Sequence, residues 1–135
     1  MVCIYCGTNT SVTNSRLQRR NNHTWRRRAC SACKSVFTTI ETPELTGSIM
    51  VSKPGSVALE PFSRDKLFLS IYRSCQHRDS AIEDASGLTQ IIIANLRGTL
   101  QDASLQTRAI AEAAHTALHR FDRTAATVYK AYHLA

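Results

Sequence analysis

Apolar residues recur at helical spacing through the C-terminal half of the chain, and this pattern predicts four helices. Ser63 is expected to cap the first helix, which extends to about Gln76 with an apolar face of Leu67, Ile71, Tyr72 and Cys75. Thr107 opens the third helix, and Asp122 is expected to cap the fourth. The pattern therefore predicts a helical core for this part of the chain.

The second predicted helix begins with a capping box, in which Ser80 and Glu83 satisfy backbone amides at the helix start. The helix is expected to end at Gly98, because glycine readily adopts the left-handed backbone that follows many helices. Its inward positions are expected to be Ile82, Ala85, Leu88, Ile92 and Leu96.

Two short β-type segments, residues 48–51 and 57–60, precede the helices. Between them, Pro54 and Gly55 suit the two central positions of a type II turn. The pattern predicts a β-hairpin whose loop exposes Lys53 and backbone N–H groups.

Residues 1–45 contain no long apolar period and are rich in Asn, Thr, Ser and Arg. Such a segment buries too little apolar surface to fold alone. Residues 42–47, with their turn formers, read as a linker to the rest of the chain. Short strands are expected at residues 10–14, 24–28 and 36–41, with Asn21 and Asn22 turning the first hairpin.

Four cysteines organise this N-terminal segment. Cys3 and Cys6 form one C-x-x-C pair, Cys30 and Cys33 form another, and 23 residues separate the pairs. A C-x-x-C turn aims two thiolates at one point, so two such turns can close a tetrahedral shell of four sulfurs around zinc. The spacing predicts a zinc ribbon over residues 1–45, stabilised by one structural zinc ion.

Two disulfides are the main alternative, because small secreted domains are often held together in this way. The sequence after Met1 has no apolar run of the kind found in secretory signals, which favours a reducing compartment and metal binding. A thioredoxin-like redox pair would need a neighbouring βαβ pattern, and the sequence has none beside either pair. The fifth cysteine, Cys75, is expected to be a small buried apolar residue.

Positive charge is concentrated near the cysteines. The formal charge of the 135 residues is +7, and residues 1–45 supply +5 of it through seven Lys or Arg and two Glu. A basic lobe of this kind is typical of proteins that contact nucleic-acid phosphates. No stretch of the sequence reaches the length of a membrane-spanning apolar segment, about 18 residues. A soluble, cytoplasmic protein with no membrane partner is therefore expected.

Several motifs in one order carry a family resemblance: residues 3–7, 14–16, 25–33 and 37–41. They resemble the N-terminal zinc ribbon of the bacterial repressors of ribonucleotide reductase genes, the NrdR family. Residues 51–55 and 60–67 are similar to the start of an ATP-cone. The resemblance thus covers nearly the whole chain.

The resemblance implies an α+β protein with two domains. Residues 1–45 would be a zinc-ribbon DNA-binding domain, and residues 46–135 a mainly helical ATP-cone with a short β-hairpin. The ATP-cone would bind ATP or dATP, and the bound nucleotide would change a homo-oligomer. That change would set whether the protein represses ribonucleotide reductase genes at their operators, at the bacterial nucleoid.

This chain departs from the family pattern at several positions. Asn14 stands where Asp is usual, and Val36 where Arg is usual. The usual Val-x-Lys-Arg-Asp-Gly loop of the cone is represented by Val51, Lys53 and Gly55, without the arginine and the aspartate. The loop change bears on nucleotide affinity and on the choice between ATP and dATP.

The candidates for contact with double-stranded DNA are polar and basic residues of the N-terminal segment. Arginine can bridge phosphates or bind guanine O6 and N7, and threonine can donate to phosphate. Because side chains alternate along a strand, Arg26 and Arg28 should share one face and Arg27 the other. Trp25 is expected to pack on the metal site. The candidate set is Arg16, Arg19, Arg20, Arg26, Arg27, Arg28, Lys34 and Thr38.

Lys53 and Lys66 are the candidates for binding nucleotide phosphates. Lys66 lies in the first turn of its helix, where the positive end of the helix dipole favours anions, and the family places a lysine there. The resemblance adds Val51 and Gly55 of the loop. Tyr129 could stack on adenine, with core packing as the alternative role.

No catalytic constellation is present in the sequence, so an enzyme is not expected. Three functions stay open. The chain could be a nucleotide-responsive repressor, a DNA- or RNA-binding protein whose cone is only an oligomerisation scaffold, or the regulatory part of an enzyme complex. Nucleotide binding separates the first two, and direct DNA binding separates both from the third.

Overall fold

A computed structural model describes residues 1–100 and 102–134 of the chain. The chain divides into two compact units, Met1–Pro43 and Glu44–Ala135. The first unit consists of strands, and the second contains four helices and a small sheet, which confirms the predicted α+β class. Among the described residues, no helix is both long and apolar enough to cross a bilayer.

The first unit is a three-stranded antiparallel sheet in the order β1-β2-β3. A tight turn joins β1 to β2, and Asn22 takes a left-handed backbone there with φ of 49°, as the predicted hairpin turn requires. A bulge between Val12 and Asn14 interrupts the pairing of β1 with β2. The first two strands are longer than predicted, and the bounds are β1 Thr10–Gln18, β2 His23–Cys30 and β3 Val36–Glu41.

The buried core of the first unit is a cluster of three side chains, Cys3, Cys30 and Phe37. The sequence predicts Trp25 on the metal site, and this prediction is wrong. Trp25 is half-buried, and the guanidinium carbon of Arg16 lies 5.9 Å from its ring centroid. Because alternate residues of a strand face opposite sides, Trp25 points away from the face that carries Cys30.

The second unit contains a three-stranded sheet in the order β5-β4-β6, with β4 antiparallel to β5 and parallel to β6. The Ser56 amide donates to the Lys53 carbonyl at 3.2 Å, and Gly55 has φ of 76°, as expected for the type II turn. The sequence pattern missed the third strand. The bounds are β4 Met50–Ser52, β5 Leu59–Pro61 and β6 Ser104–Gln106.

Four helices complete the second unit. The Ser63 hydroxyl accepts a hydrogen bond from the Lys66 amide at 3.2 Å, and the Asp122 carboxylate accepts one from the Ala125 amide at 2.9 Å. These contacts confirm both predicted caps. The bounds are α1 Arg64–Ser74, α2 Ala81–Leu96, α3 Thr107–Phe121 and α4 Arg123–His133.

The start of α2 differs from the predicted capping box. The Ser80 hydroxyl makes no cap to a helix amide and instead donates to the Asp84 carboxylate at 2.7 Å. Ile82, predicted to face inward, is 60% exposed, and Ala81 takes the inward position. One residue along a helix is a rotation of about 100°, enough to move a side chain off the buried face.

The end of α2 also differs from the prediction. The α-helix ends at Leu96, and a single 3₁₀ turn, Arg97–Thr99, follows and contains Gly98. Among the described residues, the core of this unit comprises sixteen buried residues from all four helices, from β6, and from the positions just before and just after α1. Cys75 is fully buried within it, as expected, and burial raises the pKa of its thiol.

Candidate functional site

Each cysteine pair lies in a turn of the same construction. The Cys3 amide donates to the Thr8 carbonyl at 2.7 Å, and the Cys30 amide donates to the Ser35 carbonyl at 3.0 Å. Both hydrogen bonds join a cysteine to the residue five positions later. The two turns are therefore equivalent, and each directs two sulfur atoms to one side.

Both turns also need one residue with a left-handed backbone at the same position. Gly7 has φ of 75°, and Lys34 has φ of 62°. Glycine adopts this conformation without steric cost, whereas lysine does so at a cost of about 1–2 kcal/mol. The second turn is therefore held in a conformation that its own sequence disfavours.

The four cysteine sulfurs converge on one point and lie within 4.8 Å of one another. The Cys3 and Cys33 sulfurs are 3.7 Å apart, and the Cys6 and Cys30 sulfurs are 3.5 Å apart. A tetrahedral site with Zn–S bonds of about 2.3 Å has sulfur–sulfur edges of about 3.8 Å, whereas a disulfide bond measures about 2.05 Å. The four cysteines are thus positioned for zinc binding.

Hydroxyl groups beside the sulfurs favour the thiolate form, which is the form that binds zinc. The Ser35 hydroxyl lies 3.3 Å from the Cys3 sulfur and 3.0 Å from the Cys33 sulfur. The Ser35 hydroxyl is the main cause that lowers the pKa of Cys3 to about 6. Hydrogen bonds from Thr8 lower the pKa of Cys6, and the bond from the Thr8 hydroxyl has a larger effect than the bond from the Thr8 amide.

The strand register sorts the candidate arginines onto two faces of the sheet. One face, here called the Glu41 face, carries Arg26, Arg28, Thr39 and Glu41. Arg26 donates to the Glu41 carboxylate from Nε at 3.0 Å and from Nη2 at 2.8 Å. Arg28 donates to the Thr39 hydroxyl at 3.1 Å. Both arginines are therefore held along the sheet surface.

The opposite face, here called the Trp25 face, carries Arg16, Trp25, Arg27, Thr38 and Ile40. Arg16 and Arg27 are exposed, and Arg27 donates to the Thr38 hydroxyl at 3.3 Å. Within the described residues, neither arginine lies within ion-pair distance of a carboxylate. This face presents two arginines whose charge is not neutralised by a partner.

The remaining basic candidates lie at opposite ends of β2. Arg19 and Arg20 are exposed in the turn before this strand, and Lys34 is exposed in the turn after it. A strand of this length spans about 23 Å. Basic side chains therefore mark both ends of the ribbon as well as its centre.

The second unit contains a cavity of about 640 Å³ that brings together four of the five nucleotide candidates. Val51, Lys53, Lys66 and Tyr129 line it, whereas Gly55 lies outside its lining. Small-molecule sites commonly have volumes of about 300–1,000 Å³. Tyr129 is only 2% exposed and its ring stacks on the ring of His133, with centroids 4.3 Å apart.

The sequence pattern missed three ionisable residues of the cavity, Glu60, Arg108 and His133. Glu60 is the most informative, because its Oε1 lies 2.6 Å from the Lys53 Nζ and its Oε2 lies 3.8 Å from the Lys66 Nζ. Lys53, through its hydrogen bond and its charge, lowers the pKa of the Glu60 carboxyl. The position of Glu60 in the sequence, between the two candidate lysines, is the signal that could have identified it as a residue of the cavity.

Comparison with known proteins agrees with this geometry. Residues 1–41 match the family described as transcriptional repressor NrdR-like, N-terminal domain. A transcriptional repressor NrdR from Symbiobacterium thermophilum is 35% identical, over 98% of this chain and 89% of that protein. Proteins of the same name from Desulfitobacterium hafniense and Syntrophotalea carbinolica are 37% and 32% identical, over 98% of this chain and 87% and 85% of theirs.

Proposed function

The chain belongs to the NrdR family of transcriptional repressors, and we propose from this premise that it is a nucleotide-responsive repressor of ribonucleotide reductase genes. Residues 1–45 bind operator DNA as a zinc ribbon. Residues 46–135 form an ATP-cone, in which bound ATP or dATP changes a homo-oligomer and thereby DNA binding. The protein acts at the nucleoid in the bacterial cytoplasm and is not an enzyme.

The Trp25 face is the single observation that carries the DNA-binding proposal. It places Arg16 and Arg27 on one exposed surface of a sheet that the cysteines would fix at one end through zinc. Arginine is suited to duplex DNA, because its planar guanidinium can bridge phosphates or bind a guanine at two points. We assign base or phosphate contacts to these two arginines, with Thr38 donating to phosphate.

The other basic residues have supporting roles in this proposal. Arg19, Arg20 and Lys34, at the two ends of β2, contact phosphates and so orient the ribbon along the duplex. Arg28 and Arg26 lie on the Glu41 face, where Arg26 must leave its carboxylate partner before it can contact DNA. Arg26 therefore contributes less to affinity than Arg27.

The nucleotide-binding proposal rests on the cavity of the second unit. Lys53 and Lys66 approach it from the hairpin loop and from the first turn of α1, and both bind phosphates. The left-handed backbone of Gly55 shapes the loop that carries Lys53. Val51 offers an apolar wall, and the exposed ring of His133, stacked on the buried ring of Tyr129, offers an aromatic surface for adenine.

The test is a fluorescence anisotropy titration of the zinc-loaded chain on a labelled duplex from the promoter of a ribonucleotide reductase operon of the same genome. A scrambled duplex of equal length and composition is the control. We expect tighter binding to the promoter duplex and a change in that affinity between ATP and dATP. Lys66→Ala should remove the nucleotide response and leave promoter binding without nucleotide unchanged. Equal affinity for both duplexes would contradict the proposal.

A second candidate function is a zinc-ribbon protein that binds nucleic acid and whose cone is only an oligomerisation scaffold. The observation that favours it is the Glu60 carboxylate, which already faces both candidate lysines. Calorimetry with ATP and with dATP, together with mass by light scattering, separates the two functions. Absence of both heat and a change in mass would select the scaffold.

A further inference from the structure

One extra residue in β1 decides which side chains reach the Trp25 face. Val12 lies opposite Arg28 and Asn14 lies opposite Arg27, so Thr13 is the extra residue of a bulge. The Thr13 hydroxyl donates to the Arg27 carbonyl at 3.2 Å. Because side chains alternate along a strand, one extra residue moves every later side chain of the strand to the opposite face. The bulge therefore places Asn14 on the Trp25 face.

Asn14 extends the surface formed by the two arginines of this face. It lies directly opposite Arg27, with about 5 Å between the Cβ atoms of such a pair. It also lies two residues before Arg16, which is about 6.8 Å along an antiparallel strand. All three side chains are exposed. Because the phosphates of one DNA strand follow each other at ~3.4 Å along the helix axis, these three side chains cover about two base-pair steps.

The neighbours of Asn14 make contacts within the sheet, whereas its own amide group is free. Arg27 donates to the Thr38 hydroxyl at 3.3 Å, and the guanidinium carbon of Arg16 lies 5.9 Å from the Trp25 ring centroid. Across the part of the chain that the structure describes, the Asn14 side chain forms no hydrogen bond. Its carbonyl oxygen can accept and its NH₂ group can donate. Both groups are therefore open to a ligand that approaches this face.

An asparagine amide is complementary to one base in particular. In the major groove, adenine presents the N7 acceptor beside the N6 donor, and an asparagine side chain can bind both at once. Guanine presents two acceptors there, which suit arginine instead. The major groove is about 12 Å wide and admits a two-stranded β-ribbon. Because β1 is an outer strand of its sheet and pairs with β2, these two strands can bring Asn14 to the base edges.

We propose that Asn14 is a specificity-determining residue that binds the N6 and N7 edge of an adenine in the operator. This inference rests on the proposed function of the ribbon as a DNA-binding domain. Arg16 and Arg27 supply charge beside that contact, and Asn14 supplies none. Asn14 therefore contributes more to the choice between A·T and G·C at its position than to the general affinity for DNA.

The experiment measures anisotropy on a panel of promoter duplexes in which each A·T pair is replaced by G·C, one pair at a time. The unmodified chain should bind at least one of these duplexes about tenfold more weakly, which corresponds to ~1.4 kcal/mol. Asn14→Ala should bind that duplex and the original promoter duplex equally. At that position, 7-deazaadenine keeps base pairing but lacks N7. It should weaken binding by the unmodified chain and leave binding by Asn14→Ala unchanged.

Asn14→Asp provides a second variant with a different expected preference. A carboxylate can only accept hydrogen bonds, and it suits the N4 donor of cytosine. This variant should therefore favour cytosine over adenine at the position identified by the panel.

Ser15→Ala is the matched control, because Ser15 is the exposed neighbour of Asn14 and lies opposite Arg26, on the Glu41 face. Its affinities across the panel should equal those of the unmodified chain. Zinc content and Trp25 fluorescence of each variant report whether the ribbon is folded, so that a change in preference can be assigned to the base contact.

The outcomes separate this inference from the proposed function. Loss of discrimination at an adenine in Asn14→Ala, and not in Ser15→Ala, would support the inference. If Asn14→Ala keeps every base preference of the unmodified chain, or loses affinity equally for all duplexes, the inference is overturned and promoter recognition stands. If the unmodified chain binds the promoter and scrambled duplexes equally, the proposed function and the inference fail together.

Discussion

Each of the two units of this chain is stabilised by a different kind of interaction. The first unit buries only a cluster of three side chains, two of which are cysteines of the metal site. The second unit buries sixteen residues in a continuous apolar core. Because burial of apolar surface is the main force that stabilises folded domains, the second unit has a source of stability that the first lacks.

The difference predicts which part of the protein depends on zinc. In the ribbon, metal binding must replace the missing core, so the arginines of the Trp25 face are held in place only while zinc is bound. In the helical unit, the apolar core holds the cavity and its lysines in place independently of metal. Each unit should therefore respond to a change that leaves the other intact.

The largest expected effect is the loss of the ribbon in Cys30→Ser. Structural zinc sites contribute about 10–16 kcal/mol of apparent binding free energy to folding, and the small ribbon core cannot compensate for that loss. Trp25 is the only tryptophan of the chain and lies in the ribbon, so its fluorescence reports ribbon unfolding. Far-ultraviolet circular dichroism reports the helices, whose signal should be largely retained.

Cys75→Ala is the control for the cysteine substitution. Cys75 is buried in the helical core and lies outside the metal site. The variant should keep the zinc content of the unmodified chain by elemental analysis, with an unchanged Trp25 spectrum. A Cys30→Ser protein whose Trp25 spectrum is also unchanged would contradict the account of the ribbon.

The converse change is Ile92→Ala in the helical core. Ile92 has no exposed surface, and truncating such a residue to alanine costs about 2–5 kcal/mol. The midpoint of the circular dichroism melt should fall, while Trp25 fluorescence and zinc content stay the same. Ile91→Ala is the matched control, because Ile91 is 53% exposed and its truncation should cost less than about 0.5 kcal/mol.

The two faces of the ribbon predict different effects of two neighbouring arginines. Arg27→Ala should weaken promoter binding by about 1–3 kcal/mol if the side chain contacts a base. Arg26→Ala should cost less, because Arg26 is already engaged by Glu41. Anisotropy titrations at several salt concentrations test this, with log–log slopes of about −0.9 per phosphate contact. A larger loss for Arg26→Ala would place the DNA on the Glu41 face.

A smaller effect is expected for Lys34→Gly in the second cysteine turn. The left-handed backbone of Lys34 costs about 1–2 kcal/mol, and glycine removes this cost in the folded state. Glycine also increases the backbone entropy of the unfolded state, which offsets about 0.5–1 kcal/mol of that gain in stability. The thermal midpoint reported by Trp25 should therefore stay equal or rise. Promoter affinity should fall modestly, because a phosphate contact is lost. A lower midpoint would mean that Lys34 stabilises the turn.

A last effect is expected on the acid stability of the helical unit. The pKa of Asp122 is lowered to about 2, mainly because its carboxylate accepts a hydrogen bond from the Ala125 amide. The hydrogen bond with His77 is the second cause. The unfolded value of an aspartate is about 3.9. Because the folded pKa is the lower one, the Asp122 carboxylate stabilises the fold above about pH 4, and this contribution is lost as the pH falls towards 2.

Asp122→Asn tests this contribution. Asparagine can still cap α4, but it does not ionise and cannot pair with Arg78, which lies 3.0 Å from the Asp122 carboxylate. The variant should be less stable than the unmodified chain at neutral pH, and the difference should shrink as the pH falls through the window between about 4 and 2. Denaturant melts followed by circular dichroism measure it. A difference that does not depend on pH would assign the effect to packing.

Local patterns predicted those parts of the fold that depend on neighbouring residues. The caps at Ser63 and Asp122 use side chains within three residues of the amides they bind. The type II turn at Gly55 follows from the backbone freedom of glycine. The zinc site follows from the spacing of the cysteines, because each C-x-x-C turn brings two sulfurs together. The pairing of β1 with β2, which sets Thr10 opposite Cys30, then brings the two turns together.

Contacts between distant parts of the chain were not predictable in this way. The strand at Ser104–Gln106 pairs in parallel with β4, about fifty residues earlier, and carries only one apolar residue as a signal. The spacing of apolar residues in α2 predicts Ile82 on the buried face of the helix. In the folded unit that face begins with Ala81, and Ile82 is exposed. Glu60 reads as an ordinary strand residue until folding places it against Lys53 and Lys66.

The most direct test of the account is a zinc-removal titration of the full chain bound to the promoter duplex. Chelator is added while DNA anisotropy, Trp25 fluorescence and far-ultraviolet circular dichroism are recorded on the same sample. We predict that DNA release and the Trp25 change coincide as one zinc leaves each four-cysteine site, while the helical signal persists. DNA binding that survives complete zinc removal, or a helical signal that is lost together with the metal, would contradict the claim that zinc builds the DNA-binding surface.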